Sequence, residues 1–334
     1  MTPEQILENA RVFALPLRRE FRGVTVREGL LFEGPSGWAE FAPFHDHSDA
    51  HAARWLEAAL EQAFGVWPAL ARRAVPVNAI VPVADVAVTK QLVDEALASG
   101  CTTIKTKVGA SNFDDDVARI AAIREALDDA GIDGAIRIDT NQRWTLHEAI
   151  ERVAVLDAIA GGLEYVEQPV ETLEDLRQLR RSVDVRIAVD EGLRLAGNAL
   201  AALAEIREVA DVLVLKAIPL GGVATSLAIA EQAGMPVVVS GSLDSSVGLA
   251  SGLWLAGALP ELHYACGLGT GALLAQDTVQ APQRIEGGML QVERQVPEQS
   301  DPVGLVDAEM TERWRARFLS AWQHAHIPNA VKAS

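Results

Sequence analysis

Basic residues are in short supply: 29 Lys and Arg stand against 46 Asp and Glu, leaving a formal net charge of −17. A surface that grips nucleic acid needs a basic footprint, so no nucleic-acid partner is expected. Long apolar runs are also missing, because Lys, Glu, Asp or Gly interrupts every candidate before it reaches bilayer-spanning length. No membrane partner is expected either. The opening residues, MTPEQILENARVF, hold no basic region followed by an apolar stretch, which argues against a secretory signal. Cysteine is reduced to two, Cys101 and Cys266, distant in sequence and set in apolar surroundings. Reduced core thiols fit that pattern better than a disulfide and point to a cytoplasmic protein. What remains is a chain of 334 residues, 49% hydrophobic and 22% charged, long enough for two domains or for one barrel with an added layer.

From about residue 76 the chain repeats one unit: a short apolar strand, a polar turn, a helix-period segment, often a glycine, then another strand. Strands are expected at 76–82, 102–108, 135–141, 163–169, 186–192, 212–218, 236–242 and 262–267. Between the second and third, Val117, Ile120, Ile123, Ala126 and Leu127 recur at helical spacing. Asn112 reads as the N-cap of that helix, with acids in its first turn. Gly100, Gly131, Gly161 and Gly234 stand where helices end. This α/β alternation predicts a (β/α) barrel over residues 76–276 ahead of an open doubly wound sheet. Residues 1–75, which begin like a β-meander, and residues 277–334, which end in a Trp-bearing helix, are expected to pack together as a second domain.

The stretch TTIKTKVG places Lys105 and Lys107 two apart, so on a strand both ammonium groups share one face. Charges recur late in four further strands: Asp139, Glu167, Asp190 and Lys216, at separations of 32, 28, 23 and 26 residues starting from Lys107. Each separation approximates one βα unit, so the five groups converge on one barrel end, where barrels place their active sites. The order is base, three acids, base. Three carboxylates brought together out of water are untenable without positive charge, since each raises its neighbours' pKa values. A hard divalent cation with oxygen ligands resolves this, Mg²⁺ or Mn²⁺ as a substitute, bound by Asp139, Glu167 and Asp190. Lysines on either side suit proton transfer, with Lys105 expected to lower the proton affinity of Lys107.

These residues resemble the enolase superfamily, along essentially the whole chain. That resemblance implies a (β/α)7β modified TIM barrel, an α+β capping domain and Mg²⁺ held by carboxylates ending the third, fourth and fifth barrel strands. The paired KTK on the second strand and Lys216 on the sixth resemble the muconate-lactonising subgroup. The seventh strand, VVVSGS, lacks the catalytic His of the mandelate racemase subgroup, and the last, CGLGTG, lacks the Asp-x-Asp of dipeptide epimerases. Within the subgroup, LPLRREFRGVTVREGLLFEGPSGWAEFAPF, IRIDTNQRW, EYVEQPV, AVDEG and SGSLDSSVGLASGLWLAGAL are similar to the o-succinylbenzoate synthase family in its compact actinobacterial form. The activity implied is loss of water from 2-succinyl-6-hydroxy-2,4-cyclohexadiene-1-carboxylate in menaquinone biosynthesis. Lys107 would then be the base, Lys216 the stabiliser of the intermediate, and Lys105 an assistant at the carboxylate. Racemisation of N-succinyl amino acids by the same two lysines is the alternative. A Schiff-base lyase using Lys216 leaves the three carboxylates unexplained.

Contacts to a small carboxylate substrate are expected from Asn141, read equally as a turn-former, and from the backbone of Ser240, Gly241 and Ser242 at the end of the seventh strand. Arg22 is a further candidate, reaching in from the capping loop. His45, His47 and His51 lie close together in HDHSDAH but read as a polar loop entering a helix, not a metal site. Trp314 and Trp322 read as capping-domain core.

Overall fold

The computed structural model describes residues 1–21, 23–298 and 305–333. The chain opens with α1 (Pro3–Glu8) and an antiparallel meander of β1 (Arg11–Phe21), β2 (Val24–Gly34) and β3 (Gly37–Phe41), followed by α2 (Asp49–Phe64). The segment 76–82, expected as a single strand, divides instead. β4 (Ala74–Pro76) pairs antiparallel with β12 (Met289–Gln291), whereas β5 (Ala79–Val81) starts a parallel sheet. The reason is a change of partner between them: the Val77 amide donates to Gly288 and the Asn78 amide to Cys266.

The parallel sheet then runs in sequence order. It comprises β5, β6 (Thr103–Lys107), β7 (Ala135–Asp139), β8 (Leu163–Glu167), β9 (Ile187–Val189), β10 (Val212–Leu215) and β11 (Val237–Val239). Helices α3 (Val86–Ala98), α4 (Phe113–Asp129), α5 (Leu146–Ala160), α6 (Leu173–Arg180), α7 (Glu191–Arg194), α8 (Ala199–Val209), α9 (Val223–Ala233) and α10 (Ser246–Ala258) alternate with the strands. The eighth strand expected at 262–267 is reduced to two parallel bridges, Val77 with Cys266 and Ser240 with Gly267, which join the first and seventh strands around the gap. This is the (β/α)7β barrel. Asn112 caps α4 through its side chain, and Gly100, Gly131, Gly161 and Gly234 take left-handed φ values of 88°, 67°, 71° and 58° at helix ends, as expected.

Period-two alternation sorts the strand residues. Ile104, Ile136, Ile138, Val166, Ile187 and Leu213 pack under the helices, while Tyr165, Ala188, Val212, Val214 and Val238 fill the lumen. Arg137 plugs the lower lumen, fully buried between the rings of Tyr165 and Tyr264 and paired with Glu164 at 2.5 Å.

After β12 the chain ends in α11 (Ala308–His324) and α12 (Asn329–Ala333). A separate apolar cluster gathers α1, the meander, α2 and these last helices, with Phe41 edge-to-face against Trp314 at 6.1 Å and Phe318 at 5.5 Å. Trp314 and Trp322 belong to that cluster, as expected. A third cluster, in which Phe13, Leu15 and Leu31 meet Leu243, Val247 and Leu273, seats the meander on the barrel's C-terminal mouth. Among the described residues no helix is long and apolar enough to cross a membrane.

Candidate active site

Strand register brings the five charges together. Lys107 lies opposite Asp139, and Asp139 opposite Glu167. Glu167 lies opposite Ala188, two residues before Asp190, which opens α7. Lys216 directly follows β10. Both β6 lysines turn inward, as their spacing requires, and reach the same Asp139 Oδ2: Lys105 Nζ at 3.0 Å and Lys107 Nζ at 2.6 Å. Lys105 also pairs with Glu167, and Lys216 Nζ lies 2.5 Å from Asp190 Oδ2. Asp139, Glu167 and Asp190 are at most 1% exposed.

Burial, then Asp139, pushes the Glu167 carboxyl up to about 7 against the pull of Lys105. Burial acts to lower the pKa of Lys105, but Asp139 and Glu167 outweigh it and leave it raised, so Lys105 stays an ammonium. It is the fixed cation of the β6 pair.

Among the described residues no three His, Cys, Asp or Glu side chains gather into a ready-made metal cage. Ammonium groups occupy the space between the carboxylates: Lys105 Nζ contacts both Asp139 and Glu167, and Lys216 Nζ contacts Asp190. The donors nonetheless fit a hard cation. All are carboxylate oxygens on adjacent strands, and Glu167 Oε1 is buried without a hydrogen-bond partner.

Asn141 belongs to the site. Its Oδ1 accepts from Lys107 Nζ at 2.5 Å and its Nδ2 donates to Glu191 Oε1 at 3.1 Å, from a left-handed backbone at φ 49°. Ser240, Gly241 and Ser242 line the pocket, but their backbone amides are engaged internally. Ser240 donates to Leu215, Gly241 to Gly267 and Ser242 to Asp244 Oδ2 at 2.9, 2.9 and 2.8 Å. A substrate carboxylate there would meet side chains and carbonyls, not the free amides expected from the strand end. Arg22 lies outside the described residues.

The pocket is completed by Phe21 and Phe44 from the capping side and by Ile80, Thr106, Leu243, Gly267 and Thr270. Through Phe44, Lys216 and Ser242 it adjoins a second cavity of about 610 Å³, walled by Arg27, Glu191, Arg194 and the three histidines. His47 there packs on Trp55, and burial lowers its pKa to about 4. His45 faces Glu28 at 3.5 Å.

Sequence reasoning missed Gln168, Glu191 and Arg194. Gln168 Oε1 accepts the amides of Asp190 and Gly192 at 3.2 and 3.1 Å, fixing one acid's loop from the next strand. Arg194 holds Asp190 Oδ1 at 3.1 Å and Glu191 Oε1 at 2.7 Å. Among the described residues the non-glycine positive-φ positions are Asn141, Gln142, Gln168 and Leu243, all at the C-terminal ends of barrel strands.

Fold and site together define a barrel with opposed lysines across a carboxylate array. Residues 88–298 match the family described as Enolase C-terminal domain-like, and residues 12–63 match Enolase N-terminal domain-like. The chain is 45% identical to the o-succinylbenzoate synthase of Mycolicibacterium smegmatis, covering 93% of this chain and 94% of that one. It is 45% identical to the protein of that name from Thermobifida fusca, covering 93% and 95%, and 42% identical to that of Mycobacterium tuberculosis, covering 98% and 97%. In structure it resembles the L-Ala-D/L-Glu epimerase of Bacillus subtilis, with a TM-score of 0.73 at 21% identity, covering 86% of this chain and 96% of that one. It also resembles muconate cycloisomerase from Pseudomonas fluorescens, with a TM-score of 0.70 at 19% identity, covering 86% and 94%. The chain belongs to the enolase superfamily, within its o-succinylbenzoate synthase family.

Proposed function

We propose that the chain removes water from 2-succinyl-6-hydroxy-2,4-cyclohexadiene-1-carboxylate to give 2-succinylbenzoate, a step of menaquinone biosynthesis. One observation carries the reading: Lys107 and Lys216 enter one pocket from the second and sixth barrel strands, with the three carboxylates on the strands between. Strands four apart in an eightfold barrel face each other, so a ring seated there has an amine on each face.

The hydrogen to be removed lies next to a carboxylate and is a very weak acid. Its loss builds negative charge on the carboxylate oxygens, which the site must meet as it develops. Asp139, Glu167 and Asp190 would hold a divalent cation, Mg²⁺ or Mn²⁺ in its place, which when bound supplies Lewis-acid charge at that carboxylate. Lys107 Nζ, as the neutral amine, takes the proton. The same ammonium then protonates the hydroxyl leaving from the same ring face, so the C–H and C–O bonds break, water departs and the ring becomes aromatic. Lys216, on the other face, stabilises the anion as a cation over the ring. Lys105 keeps Asp139 and Glu167 in place, and Asn141 orients Lys107.

Turnover of this diene by the purified protein with Mg²⁺ tests the reading. Lys107→Ala should lower kcat by about 10²–10⁴, the usual contribution of a positioned general base, while leaving the far-ultraviolet spectrum unchanged. Efficient racemisation of N-succinyl amino acids without dehydration would keep the two lysines and overturn the substrate.

A further inference from the structure

Between the capping strands and the loop that follows β11 lies a buried charge cluster the mechanism leaves unused. Arg27 on β2, Glu40 on β3 and Asp244 in the loop are 3%, 1% and 4% exposed. Arg27 Nε donates to the Leu243 carbonyl at 3.0 Å, and a terminal nitrogen donates to the Ala42 carbonyl. The guanidinium lies over Phe44, 4.5 Å from the ring centroid. Glu40 Oε2 accepts the Ser245 amide at 3.0 Å, and Asp244 Oδ2 accepts the Ser242 amide at 2.8 Å. Helix α10 approaches closely enough that a Cβ on Gly248 would fall 2.7 Å from Glu40 Oε1. Loop 240–245 therefore hangs from three side chains, two of them on capping strands. Ser240, Gly241, Ser242 and Leu243 of that loop wall the pocket. Leu243 sits at φ 65°, a backbone that a leucine keeps only when its surroundings hold it there.

We propose that Arg27, Glu40 and Asp244 form one positioning unit, through which the seated capping strands fix the pocket wall 240–245 in the shape the reaction needs. The proposal rests on the functional reading above only for what the wall serves.

Glu40 Oε1 and Asp244 Oδ1 are both buried without a hydrogen-bond partner. One guanidinium does not neutralise two dry carboxylates, and each anion disfavours the other. A single proton held by the pair makes the cluster neutral, with one cation, one carboxylate and one carboxylic acid. Burial, then Asp244, pushes Glu40 up to about 8, and burial raises Asp244 as well. Among the described residues, charged groups facing the cluster include Glu28 on β2, toward Arg27, and Lys216 beyond β10, toward Asp244. They also include buried Asp277, which accepts the Ser246 amide at 3.0 Å beside the Glu40-bound Ser245.

Hydrogen exchange read by mass spectrometry, together with a pH profile, tests this on Arg27→Met and Glu40→Gln. In Arg27→Met, exchange across residues 240–246 is expected to rise about tenfold or more, as for a local opening, with β6 to β8 unchanged. Glu40→Gln, with the shape of the protonated acid, is expected to keep wild-type exchange in the loop at neutral pH. The wild-type KM is expected to climb above about pH 8 as the pair loses its proton, and the Gln variant to lack that climb. Unchanged loop exchange in Arg27→Met overturns the proposal, as does the same climb in Glu40→Gln. If Arg27→Met does not fold, the Glu40→Gln comparison decides alone. Exchange needs no substrate, so a protein without dehydration activity would sink the functional reading and leave this result standing.

Discussion

Lys105 and Lys107 leave β6 on one face, yet they meet different surroundings. Lys105 is 8% exposed and bridges Asp139 and Glu167, whereas Lys107 is shared between Asp139 and Asn141 at the pocket edge. The difference makes a prediction. Lys105→Met leaves Glu167 buried without its cation and Asp139 with Lys107 alone, and breaking a buried pair from one side costs about 3–5 kcal/mol. Urea denaturation without metal should show that loss, and a variant as stable as the parent would mean Lys105 does not compensate these acids. The five charges were legible in sequence because one per βα unit is a period that survives without coordinates. Gln168 and Arg194 were not. Gln168 acts by reaching from one strand end to the amides of the next, out of a left-handed turn at φ 42°. Arg194 acts by folding back one helical turn on Asp190. Nor did a strand-end serine–glycine run reveal that its amides are already used by Leu215, Gly267 and Asp244.

The elements are joined by contacts of the same kind. Helix α9 begins at Gly222, which offers no side-chain cap, and its first amides turn to a glutamate on a capping helix. Val223 donates to Glu61 Oε2 at 2.5 Å and Ala224 to Glu61 Oε1 at 2.9 Å. The carboxylate sits on the positive end of the helix dipole and ties α2 to the barrel. Glu61→Ala should therefore destabilise by about 1–2 kcal/mol, the cost of a lost N-cap, read as a lower denaturation midpoint at constant slope. A change within error would mean water replaces the carboxylate fully. Helix and strand identities were readable from periodicity and caps such as Asn112. This cap was not, because its two halves stand 162 residues apart in sequence. The split of 76–82 into β4 and β5 was hidden for a similar reason: neither partner, β12 nor the Cys266 bridge, is adjacent in the chain.

Across the whole molecule the dominant quantity is negative charge, −17 overall, with its most buried concentration at Asp139, Glu167 and Asp190. Lysines neutralise that concentration in the fold, but Glu167 keeps one oxygen without a partner and a carboxyl pushed up to about 7 by burial and Asp139. A cation bound there favours the folded state over an unfolded chain that has no such cluster. By mass action the gain is about 2.7 kcal/mol at a hundredfold excess over Kd, enough to move Tm by several degrees in a chain of this size. Salt alone also screens repulsion on so acidic a surface, so the measurement needs a control that separates site from surface. Glu167→Gln supplies it, since it removes a carboxylate charge from inside the barrel and leaves the exterior unchanged. Mg²⁺ at an ionic strength matched with NaCl should raise Tm in the parent, with reversal by EDTA, and raise it far less in the variant. Equal shifts in both proteins would assign the effect to the surface and remove the carboxylate cluster as the metal site.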